Sequence, residues 1–110
     1  MGQGAEYIVV FVTAGSPEEA KRIGDALLRE RLAACVNVVP SVKSSFWWRG
    51  EIEECEEALL IAKSKAGLLE RVIECVRRNH SYSVPEVIAV PIMGGYEGYL
   101  RWLEEACEGG

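Results

Sequence analysis

At 110 residues with no linker-like or low-complexity stretch, the chain fits one small domain, residues 1–110. Apolar residues at 49% and charged residues at 26% exclude a disordered class, and the longest apolar run, Ile8 to Ala14, is far short of the roughly 20 residues that span a bilayer. A net charge of −5 without a basic run disfavours nucleic acid, whose binding is dominated by cation contacts to phosphate.

The first element is YIVVFVT, Tyr7 to Thr13, a continuous apolar and β-branched run expected of a central strand buried on both faces. Ser16-Pro17-Glu18-Glu19 then reads as a helix start: Ser16 caps, Pro17 takes the first helical position and Glu19 completes a capping box. Ala20, Ile23, Leu27 and Leu28 follow at helical spacing, so an amphipathic helix is predicted to about Leu32.

Two extended runs come next, Cys35 to Trp48 and Glu51 to Lys65, either side of Arg49-Gly50. A two-residue connection ending in Gly suits a primed hairpin turn, whose twist matches the strands it joins. Undisturbed pairing sets Lys43 opposite Glu56 and Trp47 opposite Ile52, and Pro40, which lacks an amide donor, predicts an edge position or a bulge that shifts the register below it. Arms of about 14 residues reach roughly 46 Å, against a radius of gyration of about 13 Å for a domain of this size. The tip, with Phe46, Trp47, Trp48 and Ile52, therefore overhangs its own domain, and we expect an oligomer built through it. Glu51, Glu53, Glu54, Glu56 and Glu57 alternate between strand faces, which splits this acidic cluster into two sets of solvated charge.

The helical period returns from Ala66 to about Arg78, with Leu68, Leu69, Val72, Ile73 and Val76 on one side. A second short strand, Glu86 to Ile92, and a final helix, Tyr96 to Cys107, with Tyr99, Leu100, Leu103 and Cys107 inward, complete the order β-α-β-β-α-β plus a terminal helix. This is an α+β chain of ferredoxin-like arrangement, whose helices cover one sheet face and leave the other to meet something else.

Cys35, Cys55, Cys75 and Cys107 contain no CxxC pair, and the amino terminus, MGQGAEY, has neither a basic n-region nor an apolar h-region. Free thiols in a cytoplasmic protein are expected. Cys75 and His80 stand five apart at the end of the second predicted helix, where a chain reversal would let thiolate and imidazole meet a zinc or copper ion. The sequence holds no GxSxG, Walker or GxGxxG pattern, so no enzyme and no organic cofactor are expected.

LAACVNVVP (Leu32 to Pro40), FWWRGEIE (Phe46 to Glu53), LLIAKSK (Leu59 to Lys65), HSYSVPEVIAVPI (His80 to Ile92) and GYLRWL (Gly98 to Leu103) together closely resemble the CutA divalent-cation tolerance family. The resemblance runs from about Tyr7 to Leu103 and implies a ferredoxin-like protomer in a homotrimer, joined through the long strands, with Phe46, Trp47 and Trp48 against a neighbour. It further implies a role in tolerance of divalent metals, copper above all. Proposed copper ligands of some members fall on Cys35 and on Cys75, close to His80, whereas Val12 stands where those members carry a third cysteine. The usual HPYEVPE signature reads HSYSVPE here, and Trp48, Lys63, Tyr82 and Glu86 remain as candidates for an intersubunit cleft. Two readings follow: a trimer that binds copper or another divalent ion, or a trimeric scaffold akin to the PII signalling proteins, on which metals act indirectly.

Overall fold

The computed structural model describes residues 6–107. Its elements are β1 (Tyr7–Ala14), α1 (Pro17–Arg29), β2 (Cys35–Trp48), β3 (Glu51–Lys65), a short 3₁₀ turn (Ala66–Leu68), α2 (Leu69–Asn79), β4 (Val87–Pro91) and α3 (Glu97–Ala106). The strands form one four-stranded antiparallel sheet in the order β2-β3-β1-β4, the ferredoxin-like topology. Among the described residues no helix is long and apolar enough to cross a membrane.

β1 is central, as its apolar run predicts, but it is not buried on both faces. Ile8, Val10, Val12 and Ala14 are buried, whereas the alternate residues are half-buried. The cause is layering: both α1 and α2 pack on one side, so the even side chains meet helices and the odd ones face outward. Val39, Ile88 and Val90 add exposed apolar surface to the sheet. Between sheet and helices lie Val10, Val12, Leu60, Ile23, Leu27 and Val72, all fully buried. Burying a side chain of this size contributes about 1.5–3 kcal/mol relative to leaving it in water. Close approach matters at Gly24, where a Cβ would come within 3.1 Å of Val36 and 3.3 Å of Leu60.

The start of α1 follows the predicted cap only in part. Ser16 Oγ accepts the Glu19 N–H at 3.1 Å, but the Glu19 carboxylate takes the Gly15 N–H at 3.0 Å instead of closing the box on Ser16. At its other end α1 stops at Arg29, short of the predicted Leu32, because Arg31 turns left-handed with φ 61°. The Arg31 and Leu32 N–H groups then bond back to the Leu28 and Leu27 carbonyls, satisfying acceptors that a helix end leaves open.

In the hairpin both turn residues have positive φ, 52° at Arg49 and 82° at Gly50, the signature of a type I′ turn. Pairs from Val42↔Glu57 to Trp48↔Glu51 keep the simple register, and those from Cys35↔Lys63 to Val39↔Leu59 are shifted by one. The irregularity holds Pro40 and Ser41 opposite the single residue Ala58, a bulge on an edge strand. β1 pairs with β3 only from Ala58 to Lys65, so Val42–Trp48 and Glu51–Glu57 project as a two-stranded ribbon. The ribbon lengthens the molecule to 43 × 29 × 23 Å and its radius of gyration to 14.5 Å.

Across the base of the sheet runs α3. Glu104 accepts from Tyr7 Oη at 3.0 Å and pairs with Lys65 Nζ at 2.9 Å, and Arg31 donates to the Ala106 carbonyl at 3.0 Å. Leu103 and Cys107 turn inward as predicted, but Tyr99 remains 39% exposed, its ring tilted against Trp102 with centroids 5.4 Å apart. Tyr99 is covered only in part, and burial together with the Cys35 thiol beside it pushes its phenol up.

Candidate ligand cleft

A cleft of about 750 Å³ opens between the ribbon and the loop that leads into β4. The ribbon contributes Ser44, Phe46, Trp48, Glu53 and Glu57, and the loop contributes Tyr82, Val84 and Glu86. Strand alternation assigns the ribbon's contribution: the Phe46↔Glu53 and Trp48↔Glu51 pairs share the cleft face. Trp47 and Ile52 form the intervening pair, and project from the opposite face at 72% and 61% exposure. The three adjacent aromatics expected to act together thus divide into two sets.

The loop is held by a buried polar network. His80 follows the last residue of α2 in an extended conformation, which aims its ring under the loop, where the side chain is 0% exposed. Its Nε2 lies 2.7 Å from the Thr13 carbonyl, and its Nδ1 accepts the Tyr82 N–H at 3.1 Å. A carbonyl only accepts and a backbone N–H only donates, so these partners define the neutral, Nε2-protonated tautomer. Behind His80, the Glu19 carboxylate takes the Ser81 N–H at 2.7 Å and stands 3.6 Å from Nδ1. Burial raises the Glu19 carboxyl, but the hydrogen bonds it accepts from Ser81 and Gly15 outweigh that and hold the group below the ordinary carboxylate range.

Tyr82 joins the loop to the ribbon. Its hydroxyl donates to Glu57 Oε2 at 2.7 Å and its ring packs on His80, centroids 4.6 Å apart. Burial, reinforced by the Glu57 carboxylate, pushes the phenol well above its usual range, so it remains a donor. Glu86 accepts from Thr13 Oγ1 at 3.4 Å. The chain of contacts Glu19–Ser81, His80–Tyr82 and Tyr82–Glu57 therefore links α1, the loop and the ribbon.

Of the sequence candidates, Trp48, Tyr82 and Glu86 meet in this cleft. Lys63 does not line it. Lys63 sits at the base of the open sheet face, paired with Cys35 in register, bonded to Asn37 Oδ1 and 3.9 Å from Cys35 Sγ.

The expected metal set is not brought together within the chain. Cys35 neighbours Lys63 and Asn37, Cys75 is fully buried 3.7 Å from Glu30, and His80 has both nitrogens engaged. Burial first, then the Glu30 carboxylate, pushes the Cys75 thiol up, which disfavours the thiolate a metal requires. Five residues of separation at the end of α2 fail to join Cys75 and His80 because the thiol points into the core, while the backbone leaves the helix at His80 in an extended conformation. Among the described residues no group of three or more His, Cys, Asp or Glu side chains could hold a metal ion. All four cysteines are free.

Glu19 and Glu57 belong to this network without having been among the sequence candidates for the site. Glu57 shares strand parity with the exposed Glu51 and Glu53, so alternation alone does not single it out. For Glu19 no local signal exists, since its partner Ser81 is 62 positions away.

An α+β protomer with helices on one sheet face, an overhanging ribbon and a loop latched against it defines the class. The chain matches the CutA1 divalent ion tolerance protein family over residues 8–106, and it belongs to that family. It is 48% identical over 99 residues to a chloroplastic CutA 1 protein of Oryza sativa subsp. japonica, covering 90% of this chain and 56% of the rice protein. The chain thus spans about half the length of that relative. A divalent-cation tolerance protein CutA of Thermus thermophilus is 45% identical over 88% of this chain and 94% of its own. Among solved structures, rice CutA1 superposes with a TM-score of 0.91 at 45% identity, covering 96% of both chains. A CutA of Archaeoglobus fulgidus, described as periplasmic, superposes at 0.90 with 40% identity over 93% of this chain and 99% of its own.

Proposed function

We propose that this chain contributes to divalent-cation tolerance as a homotrimeric scaffold whose ribbon clefts bind a ligand, with metals acting indirectly. One observation carries the reading: Trp48, Tyr82 and Glu86 converge on a single cleft, whereas Cys35, Cys75 and His80 each have separate partners. Trimerisation is supported by the free β3 edge at Glu51–Glu57, by the exposed pair Trp47 and Ile52, and by the half-covered outer sheet face. The role needs neither catalysis nor an organic cofactor, and four free cysteines suit a reducing compartment such as the cytoplasm. Sedimentation velocity is the test of assembly: a trimer at micromolar concentration is expected, and a folded monomer there would overturn the assembly part of the proposal.

A second reading, direct copper binding, is favoured by the family's description and by the name of the Thermus thermophilus relative. Titrating the reduced protein with cuprous and cupric ions separates the two. Binding no tighter than that of surface carboxylates supports the scaffold; a tight stoichiometric site supports the metal reading.

A further inference from the structure

The cleft carries opposed chemistries on adjoining walls. Three carboxylates, those of Glu53, Glu57 and Glu86, line it against a single cation, Lys43. Glu57 is the most informative of them. It is 7% exposed, and its Oε2 accepts the Tyr82 hydroxyl proton. A carboxylate so largely withdrawn from water favours a guest that brings a proton donor or positive charge.

Phe46, Trp48 and Tyr82 supply aromatic surface beside these carboxylates. Trp48 already accepts a cation from its own chain, the Arg49 guanidinium lying 5.7 Å from the ring centroid. Aromatic faces bind alkylammonium and guanidinium groups through the ring quadrupole, and they cover the methylene stems of such groups. A bare divalent ion uses neither property, and the carboxylates do not gather into a metal-holding group. The volume of about 750 Å³ falls in the range of small-molecule pockets.

From these features we infer that the cleft binds an organic cation, an ammonium or guanidinium on an alkyl stem, with Glu57 and Glu86 holding the head and Trp48 and Phe46 covering the stem. This rests on the cleft reading above and names its ligand class. The same chemistry is offered by a free amine or by a lysine side chain of a partner.

The test is an NMR titration of the full chain with agmatine, which carries both cationic groups on a four-carbon stem. Saturable shifts at the Trp48 indole and the 82–86 amides are expected, with none from 1,4-butanediol or succinate. Glu86→Gln and Glu57→Gln should each weaken binding about tenfold, the scale of one lost charge-assisted hydrogen bond. Glu86→Gln, at an exposed position, carries the reading alone if Glu57→Gln fails to fold. A Gly-Lys-Gly peptide that binds more tightly than agmatine identifies the guest as a partner's side chain; the reverse identifies a free amine. An equal response to butanediol, preference for succinate, or unchanged affinity in all the glutamine variants overturns the inference. Sedimentation of the same samples keeps the two proposals apart, since a monomer that binds agmatine sinks the assembly, and an intact trimer indifferent to it sinks the ligand class.

Discussion

The body of the molecule and its ribbon-and-loop end are built on different principles. In the body, α1 and α2 close over the even residues of β1 and β3, and stability comes from Leu27, Leu60, Val12 and Val72 at zero exposure. At the other end, two strands run past the last β1 pair and the residues are held mainly by polar contacts, His80 to Thr13, Tyr82 to Glu57 and Glu19 to Ser81. Apolar burial is non-directional and tolerant of small shifts, whereas hydrogen bonds fix orientation at modest net gain. The contrast teaches that this fold invests its stability in one region and its chemical specificity in another.

The contrast is broken most forcefully from the body. Leu60→Ala should cost about 2–5 kcal/mol, measured by urea unfolding, because it opens a cavity in a fully packed layer. His80→Ala should cost less, about 1–3 kcal/mol, since it strands the Thr13 carbonyl and the Tyr82 N–H. Its larger effect should be local: hydrogen exchange at 81–86 should quicken while the β1 and β3 amides remain protected. Uniform acceleration across both regions would show that loop and body are one cooperative unit.

Tyr82→Phe should cost about 1 kcal/mol, removing the donor to Glu57 while keeping the ring on His80. Glu19 sharpens the comparison through pH. Its folded carboxyl lies below the ordinary value of 4.5, so its contribution is present above that value and is lost as pH falls from there through the lower folded value. Urea midpoints of wild type and Glu19→Gln should therefore differ at neutral pH and converge in acid. Divergence on acidification would reverse the sign and contradict the hydrogen-bonding account.

The smallest effect on protomer stability belongs to Trp47→Ser. With this side chain mostly in solvent, the change should stay within about 0.5 kcal/mol in unfolding, yet sedimentation should show loss of the proposed trimer. Trp48→Glu should act on the cleft as well as on assembly, since Trp48 lines the cleft face. A trimer indifferent to both substitutions would mean that the ribbon tip does not lock the subunits.

What the sequence made legible was mostly local. The Ser16 cap, the Arg49-Gly50 turn and the Pro40 bulge each depend on a few adjacent residues, and all three stand where they were expected. Glu19 shows the limit of such signals: its spacing from Ser16 fits a capping box, but a distant loop supplies the competing donors. β1 and Tyr99 were misjudged for a related reason, since an apolar pattern states what a residue prefers and not which neighbours the layer order leaves to it. For the metal candidates, spacing and resemblance name residues without their surroundings: Cys75 faces the core, Cys35 lies beside Lys63, and both His80 nitrogens are engaged in the loop. Three residues named through the resemblance for a cleft between subunits, Trp48, Tyr82 and Glu86, line a cleft within the protomer, while Glu57 was one glutamate among several.

The central claim is that function resides in the ribbon cleft and not in a site formed by Cys35, Cys75 and His80. Calorimetric titration of the reduced protein with cuprous and cupric ions, comparing wild type with a Cys35→Ala, Cys75→Ala, His80→Gln combination, tests it most directly. Weak, superimposable isotherms for the two folded proteins are expected. A tight stoichiometric site in the wild type that disappears in the combined variant would contradict the claim.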